Sequence, residues 1–268
     1  MMVLFVVLAS WLAGCDSCEP GTGRARGPTL MTASGDGGCP DPLFPVLKGA
    51  SWTYEVSSTP SQSPSIIELE VLDVERTGRS LKARVRKATS TYETTVEAVC
   101  SPDGSSFLSL FVYLGPPLPT SLGYSPATKV SEGPLVPPIA KLSPGLEWHH
   151  TIEAHTERPG GVALTMDSIW SVAASYLGEK EVSVPAGTYL ARQVKLEVTG
   201  HHRPPEEDDV VFGERVADPP SMTFTYSLAP GVGVVMIEGD PMPSRPDVRP
   251  RWVLSAVSRK NASGRQDD

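Results

Sequence analysis

Four cysteines, Cys15, Cys18, Cys39 and Cys100, are the side chains of this sequence best suited to covalent chemistry. A thiolate can be alkylated, oxidised to a disulfide or bound to a metal, and spacing decides among these outcomes. Cys15 and Cys18 stand three positions apart, but no second Cys or His pair follows to complete a four-ligand zinc site, so metal is not expected there. His149, His150 and His155 share the segment EWHHTIEAHTE. On a strand His149 and His155 would face one side about 20 Å apart, and His149 and His150 would face opposite sides, so one ion cannot bridge them. His201-His202 followed by Glu206, Glu207, Asp208 and Asp209 could collect a divalent ion. An acidic loop in an acidic protein is more simply read as solvated, and no metal is expected. Glu68, Glu70, Glu147 and Glu153 could supply paired carboxylates only by converging in space, which outward-facing strand positions do not favour. There is no GxSxG elbow, no GxGxxG opening a helix and no GKS or GKT. The expectation is a protein with no catalytic residues and no cofactor.

The context of Cys15 is more specific. Residues 3–13, VLFVVLASWLA, are apolar apart from Ser10, and Leu12-Ala13-Gly14-Cys15 follows on from them. Eleven helical residues rise only about 16 Å, too little for a bilayer core of roughly 30 Å. A short apolar run ending in small residues is the pattern of a cleaved export signal. The Leu-Ala-Gly-Cys order resembles the lipobox of bacterial lipoproteins. The resemblance implies that the Cys15 sulfur receives a diacylglyceryl group, that residues 1–14 are removed, and that further acylation, typically by palmitate, completes the anchor. Two or three acyl chains at about 0.8 kcal/mol per buried methylene hold a protein far better than one. Asp16 follows the cysteine; in some bacteria an aspartate there retains lipoproteins at the inner membrane and in others it does not, so the choice of membrane stays open.

Charge and the remaining cysteines agree with an exported protein. The formal charge of −8 lies wholly outside residues 1–14 and the pI is near 5.2. No basic stripe is available to bind nucleic acid, and none to dock on anionic lipid, which leaves the membrane link to the covalent anchor. Of Cys18, Cys39 and Cys100, the pair Cys39–Cys100 is the expected disulfide, since both flank structured segments and Cys18 sits close to the lipid.

The elements that would position these groups are strands. Residues 15–40 are rich in Gly, Ser, Thr and Pro and read as a flexible tether, and 259–268 as a disordered polar tail. Between them, 41–258, the pattern is of period two. Trp52, Tyr54 and Val56 share a face in 50–57. Ile67, Leu69 and Val71 alternate with Glu68 and Glu70 in 66–75, with a phase change at Val71-Leu72 that predicts a β-bulge. Leu81, Ala83 and Val85 alternate with Lys82, Arg84 and Arg86 in 80–88. Further strands are expected at 91–99, 106–114, 147–156, 162–176, 179–184, 188–199, 221–228, 232–238 and 250–257. With 27 prolines and 24 glycines no long helix is expected. Two long loops stand out, the proline-rich 115–138 and the charged 200–220.

The predicted fold is all-β: one antiparallel curled sheet forming a half-barrel or open barrel, with long Pro-rich loops. WTY at 52–54, PGLEW at 144–148, VSVPAGTYLARQV at 182–194 and TYSLAPGVGVVMIEG at 225–239 resemble, in that order, a broad group of uncharacterised exported bacterial lipoproteins. Their half-barrel is similar to that of the outer-membrane lipoprotein carrier and receptor proteins. The motifs are structural: Pro185 and Gly187 suit a hairpin turn, and Pro230-Gly231 suits a type II turn. The aromatic set Trp52, Tyr54, Trp148, Trp170, Tyr226 and Trp252 would form the core, or, if the sheet stays open, line an apolar groove for an acyl chain or another lipoprotein. The expected function is that of a non-enzymatic, lipid-anchored envelope protein facing the periplasm or exterior, binding a hydrophobic ligand or protein partner. The alternative is a structural or assembly protein with a packed sheet that acts through its loops.

Overall fold

The structure is a computed structural model describing residues 27–30, 39, 41–59, 63–91, 93–107, 125–157, 165–203, 221–241, 246–260 and 266–267. Among these residues thirteen strands form one antiparallel sheet: β1 (Ala50–Ser57), β2 (Ser65–Thr77), β3 (Ser80–Ala88), β4 (Glu93–Ser101), β5 (Gly104–Phe107), β6 (Ser125–Glu132), β7 (Glu147–Glu157), β8 (Thr165–Val184), β9 (Gly187–Arg203), β10 (Met222–Ala229), β11 (Gly233–Gly239), β12 (Arg251–Lys260) and β13 (Gln266–Asp267). The order is β5-β4-β3-β2-β1-β12-β11-β10-β9-β8-β7-β6, with β13 added to β12. β5 and β6 stand at opposite ends of the path and do not pair among the described residues, so the sheet is open. The only helical turn among the described residues is a 3-10 turn at Ile139–Lys141.

The alternation in the sequence explains most of this. In β3 the positions Leu81, Ala83 and Val85 are buried while Lys82 and Arg84 are exposed, the two faces of one pleated strand. The β2–β3 register shifts between Val71 and Asp73, which leaves Leu72 as the extra residue of a bulge at the predicted phase change. Pro185-Ala186 turns β8 into β9, with Val184 opposite Gly187. At the β10–β11 turn Gly231 has φ +78° and Val232 N–H donates to Ala229 O at 3.0 Å, as a type II turn requires.

The structure differs from expectation in several places. The predicted strands 162–176 and 179–184 are one strand, β8, whose register slips between Tyr176 and Gly178. The predicted loop 115–138 contains β6, with residues 108–124 outside the described ones. Of the predicted strand 106–114 only 106–107 is described, as the end of β5. Inside the stretch read as tether, Leu30 N–H donates to Gly231 O at 2.7 Å, and in the tail β13 pairs with Arg259 and Lys260.

The sheet buries one face in continuous rows. One runs Tyr176, Val194, Tyr226, Ile237, Trp252; another runs Ala174, Leu196, Phe224. Rows of this kind stabilise a sheet only if something covers them, at roughly 1.5–3 kcal/mol per large side chain removed from water. The cover comes from the chain itself.

Candidate functional site

Two proline-containing segments lie on the buried face, 41–47 (DPLFPVL) and 134–139 (PLVPPI). Leu43, Phe44 and Val46 of the first and Leu135 and Val136 of the second join the core. Between them and Val194, Leu196, Tyr226, Leu228 and Val234 remains an apolar crevice of about 10 Å³, the scale of a single water centre.

Asp41 ties the two segments together. Its side chain is buried, with Oδ1 accepting from Leu43 N–H at 2.7 Å and Oδ2 from Ile139 N–H at 3.2 Å. Arg192 on β9 donates to Ile139 O at 3.3 Å and pairs with Glu179 at 3.0 Å. Burial pushes the Asp41 carboxyl above the usual carboxylate range, opposed by the two backbone donors and by the Arg192 charge. A disulfide joins Cys39, two positions before Asp41, to Cys100 on β4, with S–S 2.10 Å and Cα–Cα 5.7 Å. Closing a loop of this separation, 61 residues, is worth about 4 kcal/mol in the chain-entropy account.

A glycine admits the second segment. Gly104 has φ +138°, and a Cβ there would sit 2.5 Å from Val136 O and 2.6 Å from Pro134 Cβ. Only a residue without a side chain lets 134–137 cross the start of β5 at that distance.

The aromatic residues, read from the sequence as core or as the lining of an open groove, are withdrawn from solvent. Trp52, Tyr54, Trp170, Tyr226 and Trp252 are buried and Trp148 is half-buried. Their polar atoms face protein: Trp52 Nε1–H donates to Val232 O (2.7 Å), Tyr54 OH to Val234 O (2.9 Å), Trp148 Nε1–H to Leu135 O (3.1 Å) and Trp170 Nε1–H to Ser168 Oγ (3.2 Å). Tyr54 and Trp252 meet with ring centroids 5.8 Å apart, tilted by 58°. The burial has a plain cause. A row of large apolar side chains on one sheet face has no stable open form in water, and segments 41–47 and 134–139 are apolar enough to cover it.

The other candidates disperse. His149 and His201 are exposed on β7 and β9, while His150 is buried with Nδ1 2.7 Å from Gly133 O. A carbonyl only accepts, so Nδ1 carries the proton. Nε2 is buried with no hydrogen-bond partner among the described residues, and burial lowers the pKa of the ring. Of the loop set, Glu206, Glu207, Asp208 and Asp209 lie outside the described residues, as do the side chains of His155 and His202. Among the described residues no three His, Cys, Asp or Glu form a metal-holding group. Glu68 and Glu70 on β2 are separated by six strands from Glu147 and Glu153 on β7. Glu70 is engaged on the opposite, polar face: Lys260 (2.9 Å) and Arg86 (2.7 Å) hold it, with the Lys260 hydrogen bond the main cause of its lowered pKa. Cys15 and Cys18 lie outside the described residues.

Sequence reasoning passed over two buried charges, Asp41 and Lys87. For Lys87 a signal existed: it continues the inward phase Leu81, Ala83, Val85. It is buried, with its ammonium 5.5 Å from the centroid of the Trp252 ring, and desolvation pushes its pKa down to about 8. Asp41 carried no such signal, because its burial depends on Ile139 and Arg192, far away in sequence.

No family model and no curated protein matches the chain. Solved structures do match. One is of a protein from Bacteroides fragilis described as exported, with a YmcC-like fold; it is 16% identical, with a TM-score of 0.55 over 81% of this chain and 99% of that one. Another is of a protein from Parabacteroides distasonis described as a lipoprotein, 14% identical, with a TM-score of 0.56 over 81% of this chain and 98% of that one. At these identities the likeness is one of architecture: the open antiparallel sheet found here is the fold of those proteins.

Proposed function

We propose that this chain is a lipid-anchored protein of the bacterial cell envelope that acts by contact, without catalysis, as a packed β module. The observation that carries the anchor is Leu12-Ala13-Gly14-Cys15 at the end of an apolar run. Two further observations support it. A disulfide at Cys39–Cys100 suits an oxidising compartment outside the cytoplasm, and chains of the same fold are described as exported and as a lipoprotein. Acylation of Cys15 turns a water-soluble acidic module into a membrane-held one, facing the periplasm or exterior.

The packed inner face favours the alternative in which partners meet the outside of the module. A carrier needs a trough that an acyl chain can enter. Here the corresponding face is occupied by Leu43, Phe44, Val46, Leu135 and Val136. Contact with an envelope protein is therefore assigned to surfaces other than this face.

The test is mass spectrometry of the mature N-terminus together with membrane fractionation. The expected result is an acylated Cys15 as first residue, and a Cys15→Ser chain released from the membranes. A Cys15→Ser chain processed and retained like the parent overturns the proposal.

A further inference from the structure

The chain that leads from Cys15 joins the module well before residue 40. Leu30 N–H donates to Gly231 O at 2.7 Å, and Leu30 packs against the core. Gly231 N–H donates in turn to Pro42 O at 2.8 Å, so one residue of the β10–β11 turn holds the chain at two points. Three residues before Leu30, Gly27 backs onto the Tyr189 ring, where a Cβ would overlap it. The Tyr189 hydroxyl is shared between Pro28 O at 3.4 Å and Ala186 O at 3.3 Å. Residues 27–30 are thus seated on the β8–β9 turn at one end and the β10–β11 turn at the other.

Chain length then limits how an anchored module can stand. Twelve residues separate Cys15 from Gly27, and twelve separate Tyr189 from His201 along β9. The first stretch spans at most about 43 Å in any conformation. The second is extended strand and covers about 40 Å. Bringing the His201 end of β9 to the bilayer, with the turns pointing away, would consume the whole of the first stretch. Every shorter path leaves the turns nearer the lipid.

The hairpin tip suits that place. In a chain of net charge −8 its charges cancel: Glu179 pairs with Arg192 at 3.0 Å, and Lys180 stands beside Glu181. Pro185 is exposed, and Leu190 is one of the few large apolar side chains left exposed among the described residues. A neutral surface with an apolar side chain meets a headgroup layer without a like-charge barrier.

We propose that the tip of the β8–β9 hairpin and the adjoining β10–β11 turn face the bilayer that holds Cys15, with Leu190 at the headgroup layer, and that the His201 end of β9 stands away from it. The inference rests on the lipid anchor proposed above and adds which surface of the module the membrane covers.

The test uses the full acylated chain in phosphatidylcholine vesicles that carry a nitroxide on a fraction of the headgroups. A fluorophore is attached through an azide-bearing amino acid at Ser183, near the tip, or at His201, so the cysteines stay untouched. Quenching at Ser183 should exceed that at His201 by at least roughly threefold, because one label lies at the leashed end and the other about 40 Å along the strand. Inserting a Gly-Ser linker of about 24 residues after Glu19 should bring the two labels to nearly equal quenching, since the longer leash no longer selects an end. Equal quenching without the linker, stronger quenching at His201, or a difference that the linker leaves unchanged overturns the proposed orientation and leaves the anchor standing. A chain that does not float with the vesicles defeats the anchor, and the orientation with it.

Discussion

Trp52 Nε1–H donates to the carbonyl of Val232 at 2.7 Å, joining β1 to the turn before β11 across 180 positions of sequence. Tyr54 does the same to Val234 at 2.9 Å. The β11–β12 ladder spans only Met236–Glu238 against Arg251–Val253, so side chains of β1 hold residues 232–234 where that ladder has stopped.

Removing either donor should cost at least the buried bond, with the lost five-membered ring of the indole adding to the cost at Trp52. Trp52→Phe is expected to lose about 1–2 kcal/mol and Tyr54→Phe about 1 kcal/mol. Denaturant melts check this: the midpoint falls and the slope stays constant. Unchanged midpoints would show that these bonds add nothing.

Gly104→Ala should be far worse than an ordinary glycine substitution. Its Cβ collides with Val136 O and Pro134, whereas at Gly78, φ +61°, a Cβ meets nothing within 4 Å. The expected losses are roughly 2–4 kcal/mol for Gly104→Ala and about 1 kcal/mol for Gly78→Ala. Thermal unfolding of the two side by side decides whether 134–137 must seat against β5.

His150 predicts a pH slope. Burial lowers its folded pKa below the 6.5 of a free histidine, so the unfolded chain takes the proton first as pH falls. The stabilising share of neutral His150 is present above about pH 6.5 and is lost as pH falls toward the folded pKa. Melting temperatures between pH 7.5 and 5 should fall more steeply for the parent than for His150→Phe. Parallel curves would remove His150 as the cause.

Lys87 predicts the opposite end of the scale. Its pKa falls from 10.5 to about 8, so at neutral pH the fold carries a buried ammonium near the Trp252 ring. Lys87→Met should stabilise by on the order of 1–3 kcal/mol at pH 7. That advantage should shrink as pH rises from about 8 to 10.5, where the folded state sheds the proton before the unfolded one does. A less stable Lys87→Met at pH 7 refutes it.

Strand positions were legible because period two is local: Leu81, Ala83 and Val85 alternate with charges whatever lies above them, and Pro230-Gly231 bends its own backbone. The bulge at Leu72 was legible for the same reason, as a break in that alternation. The strand β6 was not, because prolines and polar residues hide it in a stretch with no apolar face. The filling of the inner face was equally hidden. Leu43, Phe44 and Val46 read as a short apolar run, and nothing local says which surface they cover.

By itself, the sequence determined an all-β chain, the places where its strands turn, and a cysteine set in the pattern that bacterial lipoproteins acylate. All three depend on neighbours a few residues apart. Tertiary structure alone decided that the aromatic face is closed, because closure rests on Asp41 meeting Ile139, Trp52 meeting Val232 and Gly104 admitting Val136. Each of these contacts joins segments far apart in sequence, and their geometry exists only once the sheet has formed.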